Sequence, residues 1–207
     1  MAPDRKMLTK KQRLEAAISD NVALCAAVCR THGVASRFED GLWHTLAPAP
    51  PYFPDLITTD ASMTSARVAE ILAERGSASV KDSSATLDLA PFGFEVLFRG
   101  EWIWLEPGSS AAASHLDWRR ITVPHELDEW REAHGSADSI LPALLAEPGL
   151  TVLQGRDDSG SQVGAMVSEL AGPIGVSNVF ANDLAMPAAW HESVSYTHLT
   201  LPTKLEV

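Results

Sequence analysis

The side chains in this 207-residue chain with most to offer chemically are two polar residues inside an apolar run, Ser177 and Asn178 in "GPIGVSNVFA". A buried hydroxyl or amide costs free energy unless it finds a partner, so the pair marks either a ligand contact or a structural hydrogen bond to a neighbouring loop. Glu169 stands near the end of the preceding apolar run, "QVGAMVSEL". Its carboxylate could take a proton from an amine, directly or through a water, although the alternation around it equally suits a side chain facing solvent. Trp43, Tyr52 and Phe53 supply aromatic surface, and Pro48, Pro50, Pro51 and Pro54 frame the last two. Aromatics on so rigid a loop could line an acceptor pocket or cover the edge of a core.

Other chemistries find little support. Cys25 and Cys29, the chain's two cysteines, are four residues apart in "NVALCAAVCRTHG". On a helix this puts them on one face, where packing is the natural role and a disulfide is not favoured. His115, His125 and His134 lack a familiar zinc spacing, and "GRDDSG" has the composition of a turn and not of a calcium loop, so no metal site is expected. Gly-x-Ser-x-Gly, Walker and dinucleotide motifs do not occur. A net charge of −11 argues against nucleic-acid and anionic-membrane partners, which need a concentrated basic surface. No run approaches the ~20 apolar residues of a membrane span, and the first residues lack the basic-then-apolar order of a secretory signal, which together predict a cytoplasmic protein.

The elements that must position these residues follow from periodicity and punctuation. A helix is expected over residues 10–31, with Thr9 as N-cap, Gln12 completing a capping box and Gly33 in the left-handed position beyond its end. Leu14, Ile18, Val22, Cys25 and Cys29 form its apolar face. Residues 35–60 read as a rigid aromatic segment with neither helix nor central strand, because of its prolines. A second helix is expected over 61–75, capped by Thr59 or Asp60, with Val68, Ile71 and Leu72 inward. Then come a short strand, a helical turn, and a hairpin in which Phe94, Val96 and Phe98 alternate before Gly100 turns the chain into residues 102–105. The second half predicts a helix from Pro124 to Gly135 with Leu127, Trp130 and His134 on one face, and a short apolar helix in "SILPALLAEPG". Two strands around residues 158–160 and a third over 175–181 complete a meander. Helices followed by an antiparallel meander make an α+β protein.

In this order of elements, "WRRITVPHELDEW", "LTVLQGRDDSGSQVGAMVSEL" and "GVSNVFA" resemble the first part of a GCN5-related N-acetyltransferase. In the amino half, "GLWHTLAPAPPYFPDLITTD" and "APFGFEVLFRGEWIWL" are similar to parts of uncharacterised bacterial members of that superfamily. The resemblance implies a mixed sheet flanked by helices and incomplete at its carboxyl end. It divides the chain into an amino-terminal helical and β region (1–107), a linker (108–117) and a truncated acetyltransferase-like domain (118–192). It also implies acetyl-coenzyme A as co-substrate, its pantetheine arm on the fourth strand at Ser177, Asn178, Val179, Phe180 and Ala181. The acceptor would be a small-molecule or peptide amine near Trp43, Tyr52 and Phe53. One departure stands out: after Phe180 the superfamily has a glycine-containing pyrophosphate loop, whereas here the chain reads "ANDLAMPAAWHE", without glycine or arginine. A catalytically inactive binding module is therefore the alternative. The last stretch, "SVSYTHLTLPTKLEV" at 193–207, resembles translated sequencing adapter and is expected to lie outside the natural fold. Tyr196, at the place of the superfamily's tyrosine acid, falls within it.

Overall fold

The computed structural model describes residues 8–105, 116–136, 138–156, 160 and 162–181, and the backbone of 203–205. Its first element is helix α1, Lys10–Thr31, and both ends are built as the sequence predicts. Thr9 Oγ1 accepts from the Gln12 amide while Gln12 Oε1 accepts from the Thr9 amide. Gly33 takes φ +72°, and the Val34 amide reaches back to the Cys29 carbonyl at 2.9 Å. Two buried stripes run along α1. Ile18, Val22, Cys25 and Cys29 pack with Trp43 and Ile57, whereas Leu24, Ala27 and Val28 pack with Ile121, Trp130, Leu144, Val152 and Met166.

The first stripe meets a mixed sheet of β1 (Ser36–Glu39), β2 (Leu42–Thr45), β3 (Leu56–Thr58) and β4 (Val80–Lys81), in that spatial order. The expectation of no central strand within 35–60 is thus corrected, since β2 and β3 are wholly buried inner strands. The prolines act only on their own stretch, 48–54. Ahead of them Asp40 and Gly41, at φ +47° and +79°, form the two-residue turn whose twist matches a hairpin. After β3 the chain crosses over through α2 (Ser65–Leu72) to β4, which runs parallel to β3. Helix α2 begins later than the sequence predicts: Thr64 caps it by accepting from the Arg67 amide, and Asp60 instead holds a turn through the Ser62 amide and hydroxyl. Val68 and Leu72 are buried and Ile71 packs beside them, as expected.

The proline loop is tied down by one carboxylate. Asp55 Oδ1 accepts from the Ala49 amide at 2.9 Å and pairs with Arg75 Nη1 at 3.0 Å, while Oδ2 accepts from the Ser79 amide at 2.8 Å. Arg75 also donates to the Thr45 carbonyl. Beyond β4, a 3₁₀ turn at Ala90–Phe92 closes on Gly93 in the left-handed region. The expected hairpin over 94–105 is not formed. Residues 94–101 carry no strand, Leu97 and Phe98 are each 83% exposed, and β5 (Trp102–Trp104) pairs antiparallel with β10 (Thr203–Leu205). Apolar alternation alone did not suffice there, because no sheet face among the described residues covers it. Of residues 193–207, the backbone of β10 is the part described.

The second stripe of α1 meets an antiparallel sheet of β6 (Arg119–Arg120), β7 (Leu150–Arg156), β8 (Gln162–Ser168) and β9 (Gly175–Phe180), ordered as in sequence. Between β6 and β7 the chain forms α3 (Pro124–His134), started by Pro124 and stopped by Gly135 at φ +77°, then a 3₁₀ helix at Pro142–Ala146. The protein is thus α+β, with the mixed ladder and the meander in separate sheets. The 108–115 part of the expected linker and the tip of the β7–β8 hairpin lie outside the described residues.

Because Asp55 is nearly buried and anchors three partners, removing its counter-ion leaves an uncompensated charge. Arg75→Ala should cost about 3 kcal/mol of unfolding free energy in urea titration.

Candidate functional site

Between the two sheets, α1 forms the floor of an open groove enclosing about 3070 Å³. That is far more than the ~300–1,000 Å³ of a single small-molecule pocket, so its chemistry has to be sought in local clusters. Three polar groups stand out along it.

Asp20, on α1, is 4% exposed. The Ser168 hydroxyl donates to its Oδ2 at 2.5 Å and the Leu170 amide to its Oδ1 at 3.4 Å. A Cβ on Gly175 would collide with both Asp20 Oδ2 and Ser168 Oγ, so only glycine lets the start of β9 come this near. Burial raises the Asp20 carboxyl above its ordinary 3.8, against the opposing pull of these hydrogen bonds.

His134 closes α3 against an aromatic cluster. Its ring stacks on Trp130 at 4.8 Å between centroids and lies 5.3 Å from Phe180. Trp130 is fixed by donation from Nε1 to the Leu153 carbonyl, and Gly164 leaves room for the rings of Trp130 and Phe180. Burial lowers the His134 pKa, which keeps the imidazole neutral and able to accept a proton at neutral pH. Its Nδ1 and the hydroxyls of Ser136 and Ser139 are buried and have no hydrogen-bond partner among the described residues. Hydroxyls so placed beside a groove are suited to a polar ligand.

Lys81, at the end of β4, donates from Nζ to Asn21 Oδ1 at 2.8 Å and sits 4.5 Å above the Trp102 ring. Desolvation lowers its pKa.

No family model, curated protein or solved structure matches the chain. The site therefore stands on its own geometry. Of the residues marked from sequence, Tyr52, Phe53, Ser177 and Asn178 line the groove. Tyr52 is 85% exposed, Phe53 packs partly against both core clusters, and Asn178 Nδ2 donates to Ser177 Oγ at 3.0 Å. The others lie elsewhere. Trp43 is core, held between α1 and Ile57. Glu169 is exposed just beyond β8, with its amide on the Gly149 carbonyl. Val179 and Ala181 pack beside Leu116 and Val163 on the other face of the meander, and Phe180 contacts His134 and Trp130. Among the described residues no three His, Cys, Asp or Glu side chains are grouped to hold a metal ion, and no helix is long and apolar enough to cross a membrane. Asp20 and Lys81 were not singled out from sequence, and His134 was read as a member of a helix face and as one of three histidines without a zinc spacing. A lone aspartate inside the apolar "AAISDNVAL" is the one local signal that could have flagged Asp20.

A raised carboxyl pKa has a definite sign for stability. The folded state keeps a proton that the unfolded state has released, so the Asp20 contribution is full below 3.8 and is lost as pH rises through the folded value. Asp20→Asn keeps one acceptor, Oδ1, for the Leu170 amide, and its Nδ2 can donate to the Ser168 hydroxyl, while the buried charge is avoided. Its melting temperature should exceed that of the wild type at neutral pH, and the difference should shrink in acid.

Proposed function

We propose that this protein transfers an acetyl group from acetyl-coenzyme A to an amine, in the manner of a GCN5-related N-acetyltransferase. The observation that supports this best is the break in β9. Gly164 pairs with Phe180 and Met166 with Ser177, so β9 carries one residue more than β8 across this interval. Asn178 takes up the difference at φ +51°. The bulge takes backbone groups out of the ladder on a strand that ends its sheet, beside the groove. Exposed amide and carbonyl groups are what an extended pantetheine arm needs for pairing. The insertion of α3 and a 3₁₀ helix between the first two meander strands fits the same reading.

In this reading the acceptor amine lies in the groove and attacks the thioester carbon directly. A C–N bond forms as the C–S bond breaks, and the thiolate leaves. Positioning supplies much of the rate, and the neutral imidazole of His134 is a better-placed proton acceptor than the exposed Glu169. Ser136 and Ser139 offer hydrogen bonds to the acceptor. A second reading, a binding module that holds a small molecule or a peptide without turnover, is favoured by the lack of glycine and arginine over 182–192, which lies outside the described residues.

Thermal denaturation with acetyl-coenzyme A separates the two. Saturating ligand at ~100 times its dissociation constant should stabilise the fold by roughly 2.7 kcal/mol. Asn178→Gly, which tolerates positive φ, should keep that shift, whereas Asn178→Val, which resists it, should diminish it. An unchanged melting temperature in the wild type would leave the binding-module reading standing.

A further inference from the structure

The groove contains an amine whose surroundings are unusual for a lysine. Between Lys11 and Lys204 the sequence has a single lysine, Lys81, while the other cations in that span are arginines. It sits at the end of β4, the edge strand of the mixed sheet among the described residues, where Ile57 of β3 is its ladder neighbour. The Nζ has one hydrogen-bond acceptor, Asn21 Oδ1, and one aromatic face, Trp102, whose own Nε1 is fixed on the Ser83 carbonyl. Among the described residues no carboxylate forms an ion pair with it. Of the acids nearest in sequence or in the groove, Asp82 is turned to the Thr58 hydroxyl and the Ser84 and Leu87 amides, and Asp20 to Ser168 and Leu170. Glu101 neighbours Trp102 in sequence, and the thiol of Cys25 is the ionisable group of α1 that acts on the amine.

We propose that Lys81 is a nucleophilic amine that accepts acyl groups from activated esters and thioesters entering the groove. An amine held half-buried in the groove, with no carboxylate partner among the described residues, gives up its proton more readily than a solvated one, desolvation acting against the hold of the Trp102 face on the cation, and the direction of its pKa agrees. In the step, the neutral Nζ attacks the acyl carbonyl carbon. The new C–N bond forms as the bond to the alkoxide or thiolate leaving group breaks, the leaving group takes the electron pair, and the ammonium proton passes to water. The neighbouring thiols do not compete, because burial pushes Cys25 up to about 12 and Cys29 up to about 11.

The test uses the whole chain and two probes, p-nitrophenyl acetate and acetyl-coenzyme A, each at limiting concentration, with acetylated lysines mapped by peptide mass spectrometry. With the ester at neutral pH, Lys81 should be acetylated ahead of the exposed Lys10 and Lys11, and this lead should vanish in alkali, where all three amines are neutral. Lys81→Arg should lose the fast phase of p-nitrophenolate release. Equal labelling of the three lysines, or Lys81 labelled last, overturns the proposal, and this comparison needs only the wild-type protein. Labelling of Lys81 by the ester but not by acetyl-coenzyme A upholds the reactive amine and counts against the acetyl-coenzyme A reading, so the two can fail separately.

Discussion

Burial of α1 on two sides is the constraint on which the rest of this structure depends. An amphipathic helix at the edge of a domain hides one stripe, whereas α1 hides two, one on the mixed sheet and one on the meander. Each fully buried Leu, Val or Ile contributes about 1.5–3 kcal/mol, so the helix couples the sheets through a large apolar term. The groove follows from this arrangement: two sheets that diverge from a shared helix leave a trough over it, and the polar residues of α1 that fall between its apolar stripes, Asp20 and Asn21, become the trough's floor.

Those two polar positions organise the walls. Asp20 reaches the end of β8 and the start of β9, where the hydroxyl of Ser168 and the bare Cα of Gly175 make room for it. Asn21 reaches Lys81 on the opposite sheet. One turn of helix thus touches both walls through side chains whose ionisation and hydrogen bonding are set by burial. A buried carboxyl tends to keep its proton and a buried amine to lose it, so the floor of the groove combines groups that solvent would keep charged with the means to exchange protons.

Much of this fold was legible from local signals. The caps of α1, the Pro124 start and Gly135 stop of α3, and the alternation of β7 and β8 come from interactions within a few residues of each other, and there the reading was right to within a residue or so. It failed where local preference had to be completed by distant partners. Residues 36–45 are strands because Leu56–Thr58 and α1 lie beside them. Residues 94–98 alternate just as well and are not strands, for want of such a face. The Asp40-Gly41 turn was available as a signal, and the prolines that follow it obscured its meaning.

By itself, the sequence determined that the chain folds as helices with an antiparallel meander, that its cysteines are packing residues, and that Ser177 and Asn178 needed partners. These are consequences of composition, periodicity and the cost of burying polar atoms, all of which act along the chain. Only the tertiary structure decided which side chains share a groove. It moved Trp43 into the core and Glu169 into solvent, and it brought Asp20, Lys81 and His134 from distant segments to one surface. The physical reason is that the ionisation of these groups depends on desolvation, and how much water a side chain loses is settled only when remote elements close around it.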